Sequence, residues 1–133
     1  MIRFEKISST EKNYPFVDAI CAADYKNGTF GEVADGTFTA GAGFKAIMQI
    51  EKGHDMHSDD FKVLKGEHVR VADLAKVDGH IVNVTADELP AEYKVGDKLV
   101  AAANGMLTVG EASSKALEVI EVTRYGVRAK VLA

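Results

Sequence analysis

A chain of 133 residues with 47% apolar content is long enough to bury a core and too apolar to stay disordered, and its length fits one domain. The net charge of −4, with Lys and Arg scattered and never in a run of three, excludes the concentrated positive charge that a nucleic-acid duplex binder needs. The single cysteine, Cys21, excludes an internal disulfide, so stability must come from packing.

The first residues, Met1 to Lys6, contain no apolar stretch of signal-peptide length. No window approaches the ~18 consecutive apolar residues of a spanning helix, so the expectation is a chain made and kept in a cytoplasm, or assembled there before release. Residues 1–15 are of mixed polarity and end at Tyr14-Pro15, where extended backbone is favoured. They are read as an extended N-terminal arm, with residues 16–133 as a single β-rich domain. Cys21 lies in the apolar run Ala19-Ile20-Cys21-Ala22-Ala23, which makes it a buried small hydrophobe rather than a nucleophile.

Asn27-Gly28, Asp35-Gly36, Asp78-Gly79 and Asn104-Gly105 each supply the positive φ angles of tight turns. With short apolar or β-branched runs beside them, they predict hairpins. Residues 39–43, Thr-Ala-Gly-Ala-Gly, read as a flexible connector. Next, Phe44, Ala46, Met48 and Ile50 share one strand face, with Lys45, Gln49 and Glu51 opposite. Residues 51–60 are polar without periodicity and read as an exposed loop.

Val69 and Val71 alternate with His68 and Arg70, and Val82 and Val84 with Ile81 and Asn83. Between them Asp73-Leu74-Ala75-Lys76 suits one helical turn, and residues 87–92 suit another that Pro90 limits. The segment 117–122 changes phase midway, which predicts a bulge or a strand buried on both faces. Val127, Ala129 and Val131 alternate with Arg128 and Lys130. The fold class is all-β: roughly eight to ten short antiparallel strands in a small barrel or sandwich, with one or two helical turns. A barrel is favoured, because closure removes exposed sheet edges.

One constellation carries potential chemistry: His54-Asp55-Met56-His57-Ser58-Asp59-Asp60. His54, His57 and Asp59 are half of a divalent-metal site, and a complete site needs more ligands, for which His68 and His80 are the remaining histidines. The simpler reading is a solvated polar loop whose negative charge suits a basic partner patch. Asp73, Asp87 and Glu88 read as surface charge, since nothing brings two of them to the ~5–9 Å of paired carboxylate chemistry. Ser8-Ser9-Thr10 and Ser113-Ser114 lack a nucleophile-elbow pattern. Gly28, Gly31, Gly36, Gly41 and Gly43 lack the strand–loop–helix setting of a phosphate cradle and read as turn residues. Phe30, Phe38, Phe44 and Phe61 read as core. No catalytic residue, cofactor or metal is expected, and the chain reads as a non-enzyme that works by touching other proteins.

In the C-terminal half the order of pieces is distinctive. Residues 65–71, Lys-Gly-Glu-His-Val-Arg-Val, precede the turn at Asp73-Leu74; residues 93–99, Tyr-Lys-Val-Gly-Asp-Lys-Leu, precede the hairpin at Asn104-Gly105-Met106-Leu107. The chain closes with residues 116–121, Ala-Leu-Glu-Val-Ile-Glu, and 129–132, Ala-Lys-Val-Leu. This order, over about residues 60–133, resembles small structural proteins of tailed bacteriophages that decorate the head or form the base of head fibres.

The resemblance implies a virion component, assembled in the host cytoplasm, that binds the major capsid protein and stabilises the shell. It also implies a β-rich fold with no active site, no cofactor, no membrane and no nucleic-acid partner. Self-association on the capsid is expected, and a trimer would match local threefold positions by analogy. From the residues themselves, Ile2, Phe4 and Tyr14 on the arm are candidate capsid contacts, by strand addition to a capsid sheet edge. His54 and Asp55 on the 51–60 loop are the second group. The alternative is a small β-barrel module binding a carbohydrate or other ligand, which the absence of Trp weakens. A metal-dependent enzyme built on His54 and His57 is the third possibility.

Overall fold

The computed structural model describes residues 2–4, 15–48 and 62–133. In them the alternating segments form thirteen strands: β1 (Ile2–Phe4), β2 (Phe16–Cys21), β3 (Tyr25–Lys26), β4 (Phe30–Ala34), β5 (Thr37–Ala40), β6 (Lys45–Ile47), β7 (Lys62–Val63), β8 (His68–Asp73), β9 (Ile81–Thr85), β10 (Lys98–Ala101), β11 (Leu107–Gly110), β12 (Ala116–Val122) and β13 (Gly126–Leu132). Two single 3₁₀ turns, Leu74–Lys76 and Ala86–Glu88, are the helical content of these residues. The fold is therefore all-β, with more and shorter strands than the periodicity alone suggests.

Five strands close into a barrel in the order β2-β5-β4-β6-β8. Four of the contacts are antiparallel and one, β2 with β5, is parallel, pairing Ile20 with Thr37 and Cys21 with Phe38. The barrel interior is filled: Ala19, Cys21, Phe38, Ile47, Val63, Val69 and Val71 form one buried cluster. Cys21 is a buried free thiol.

The second sheet has six antiparallel strands in the order β1-β9-β13-β12-β10-β11. Its pairing shifts register between Val119 and Glu121, so the phase change in the sequence is a β-bulge. The larger core cluster lies between this sheet and the outer wall of the barrel. Phe30, Ala46 and Ala72 reach it from the barrel, and Val82, Leu99, Leu117 and Val131 from the sheet.

That two-sided environment explains where period-two reading stops short. Phe44, Ala46 and Met48 face the larger cluster, as their spacing predicts, but Ile47 between them points into the barrel and is equally buried. On β8, Val69 and Val71 fill the barrel while Ala72 packs on the sheet.

Two of the four Asn-Gly and Asp-Gly pairs make hairpins. Asp35 and Gly36, at φ of 52° and 77°, join the paired strands β4 and β5, and Asn104-Gly105 joins β10 and β11. The other two turn the chain without pairing its flanks. Asn27-Gly28 leads from β3, whose partner is β7, into β4. Asp78-Gly79 leads from the barrel to β9, with Gly79 N–H donating to the Val131 carbonyl at 2.9 Å.

Residues 39–43 are not slack. Thr39 and Ala40 belong to β5, and a Cβ on Gly43 would strike the Gly31 carbonyl and the Glu32 side chain. Gly31 is a strand residue rather than a turn residue: a Cβ there would meet the Thr39 carbonyl and Ala40 Cα, so β4 and β5 approach more closely than any other side chain allows.

Residues 2–4 of the expected N-terminal arm are extended. Residues 2–4 are an edge strand of the six-stranded sheet, pairing Ile2 with Val84 and Phe4 with Val82. Apolar side chains at alternate positions drive that docking, because Ile2 and Phe4 both face the core.

Candidate interaction surface

Burial removes part of the expected contact set. Ile2 is 1% exposed, and the Phe4 ring packs edge-on against Phe16 and His80 at centroid distances of 5.8 and 6.2 Å. Ile2 is thus held in the core and offers no contact surface, while Phe4 is half-buried. Tyr14, His54, Asp55, His57 and Asp59 lie outside the described residues. Among the described residues no group of three or more His, Cys, Asp or Glu is placed to hold a metal ion. His68 Nδ1 lies 2.9 Å from Asp18 Oδ2 on the barrel exterior.

The carboxylates singled out in the sequence serve local structure. Asp73 accepts from the Ala75 N–H at 3.2 Å and caps the first 3₁₀ turn. Glu88 is not surface charge: it is 3% exposed, and the Thr85 hydroxyl donates to its Oε2 at 3.1 Å. Glu32 bridges β4 to β6. It accepts from the Phe44 N–H at 3.1 Å and from Lys45 Nζ at 3.0 Å. Partial burial pushes its pKa up, but the Lys45 and Phe44 hydrogen bonds and the charges of Lys45 and Lys115 outweigh that and hold it below the ordinary value.

Among the described residues the most exposed large apolar side chain is Tyr125, at 72%, at the tip of the β12–β13 hairpin. The backbone beneath it is fixed from several directions. Thr123 N–H donates to the Gly126 carbonyl at 2.8 Å, and Ala86 N–H to the Tyr125 carbonyl at 3.0 Å. The Thr123 hydroxyl accepts from the N–H groups of Tyr125 and Gly126 at 3.3 and 3.2 Å. Gly126 then lets β13 press against β9, since a Cβ there would strike the Val84 carbonyl.

The tip is thus a rigid base carrying a projecting ring. The Arg124 guanidinium carbon stands 5.7 Å from that ring's centroid, within cation–π range. Val122, the last residue of β12, is 48% exposed. Tyr and Arg are both enriched among the residues that anchor protein interfaces, and a held backbone lowers the entropy lost on binding.

A second feature is a groove of about 550 Å³ along the far margin of the six-stranded sheet, lined by residues 96–98 and 109–113. Asp97, Lys98 and Glu111 give it mixed charge, and Val109 gives it an apolar patch.

Tyr125 was legible in principle. Thr-Arg-Tyr-Gly between two alternating strands pairs a hydroxyl able to cap a turn with a glycine two positions after Arg124. An aromatic inside such a turn cannot reach the core. The architecture defines a class, an all-β protein in which a filled five-stranded barrel shares its core with a six-stranded antiparallel sheet. Comparison with protein-family models, curated proteins and solved structures finds no match to this chain.

Proposed function

We propose that this chain is a structural virion protein that binds the outer surface of an assembled tailed-phage capsid, with the major capsid protein as its partner, and stabilises or decorates the shell. The observation that carries the reading is the exposed Tyr125 ring, with Arg124 beside it, on a turn whose backbone is tied down on both sides. The order of pieces over residues 60–133 supports the phage assignment. Such a contact gains from repetition, because a shell offers many copies of one site and multivalent binding multiplies a modest interface. Binding the assembled shell better than loose subunits is what stabilises it.

Cosedimentation with purified capsids tests this. Wild-type protein is expected to pellet with shells and to raise their disruption temperature. Tyr125→Ala is expected to weaken binding roughly 30-fold or more, the scale of an anchor residue worth ~2 kcal/mol, while leaving the unfolding temperature unchanged. Failure of wild-type protein to bind capsids, or its absence from virions by mass spectrometry, would overturn the assignment.

A further inference from the structure

We infer that β11 is a self-pairing edge: two copies of this chain join their six-stranded sheets antiparallel, with the two-fold axis at Val109. The hydrogen-bond pattern sets out the geometry. Ala102 N–H donates to the Met106 carbonyl at 2.8 Å, which makes 102 and 106 a hydrogen-bonded pair of the β10–β11 hairpin. Opposed residues of an antiparallel ladder alternate between bonded and non-bonded pairs. With Val100 opposite Thr108 and Lys98 opposite Gly110, those two are the bonded pairs. Leu107 and Val109 therefore turn their N–H and C=O groups away from β10, and β11 has no other strand neighbour among the described residues.

The side chains favour a second strand there. Leu99, Leu107 and Val109 share the core-facing side of this hairpin, Leu99 opposite Val109. Leu99 and Leu107 are buried, but Val109 is 44% exposed, because the core row runs off the end of the sheet at this residue. An edge is normally guarded by Lys, Pro, a bulge or an inward charge. Leu-Thr-Val-Gly carries none of these.

The occupant that fits is a second copy. A two-fold axis at Val109 sets Val109 against Val109 of the second copy, Thr108 against Gly110 and Leu107 against Glu111. No like charges oppose each other, and the two half-exposed valines cover one another as a cross-strand pair. The surface is small against the roughly 1,000 Å² of a stable interface, so the association is weak and concentration-dependent. Each copy carries a net charge of −4, so added salt strengthens the dimer by screening. A docking site for a basic partner would respond in the opposite sense.

Analytical ultracentrifugation of the free protein, with amide hydrogen exchange, tests the inference without any capsid. Expected is a reversible dimer that tightens with salt. Val109 N–H should exchange slowly in concentrated protein and rapidly on dilution, while Thr108 and Gly110 N–H stay slow in both. Val109→Lys adds an edge charge, and Val109→Pro removes the outward donor without touching the β10 ladder. Each is expected to raise the dissociation constant at least tenfold at unchanged unfolding temperature. A protein monomeric up to about millimolar concentration, or a dimer that survives both substitutions, overturns the inference, as does binding at β11 by a foreign strand alone.

Discussion

Gly31 and Glu32 are neighbours on β4 that hold the barrel by different means. Gly31 works by having no side chain: β5 crosses so close that a Cβ would meet the Thr39 carbonyl and Ala40 Cα, both backbone. Backbone cannot swing aside as a side chain can, so Gly31→Ala is expected to cost about 2 kcal/mol, the range of core overpacking, measured by urea denaturation. Glu32 works through charge, and its depressed pKa makes that contribution pH-dependent. With the folded value below the unfolded one, the stabilisation is present above the ordinary glutamate pKa of 4.5 and is lost as pH falls through the folded value. Its side chain is more than half exposed, so the ion pair is worth no more than ~1 kcal/mol. Glu32→Gln keeps an acceptor for the Phe44 N–H and removes the charge together with the Lys45 hydrogen bond. Its stability deficit is expected at neutral pH and is expected to vanish as pH falls through the lowered folded-state pKa, which paired denaturation curves would reveal.

Among the elements, legibility follows whether a segment meets one core or two. β9 and β13 each face the core on one side, and their valines sit where the alternation puts them. The Asp73 cap announces the 3₁₀ turn, and the phase change in 117–122 announces the bulge. β6 misleads because it separates the two clusters, so Ala46 and Ile47 are both buried. Turn dipeptides specify a bend and not which strands pair across it, which is why Asp35-Gly36 makes a hairpin and Asp78-Gly79 leads instead to another sheet. The parallel contact of β2 with β5, which closes the barrel, joins segments with no local sequence link. The interaction surface follows the same logic. Ile2 and Phe4 look available because they begin the chain, but alternate apolar side chains are what a core-facing edge strand requires. Tyr125 carries no periodic signal, and its exposure follows from the turn that holds it.

At the scale of the molecule, the deciding fact is that barrel and sheet share one apolar cluster. Phe30 belongs to the barrel by pairing and to the sheet by packing: its strand bonds to β5 and β6, while its ring lies in the cluster with Leu107 and Val131. Phe30 N–H also donates to the Gly105 carbonyl in the β10–β11 hairpin at 2.9 Å. If the two sheets were independent, emptying that site would loosen the barrel alone. With a shared core, the lost contacts belong to both, and the cavity costs the whole fold about 3–5 kcal/mol. Phe30→Ala is therefore expected to lower the exchange protection of slow amides in β8 and in β13 by the same factor, in a single unfolding transition. A loss confined to β8 would show that the sheets unfold separately. The same coupling gives the surface its stiffness. The Tyr125 tip rests on β9 through the Ala86 N–H bond and the Gly126 contact, and β9 packs Val82 and Val84 into the shared cluster.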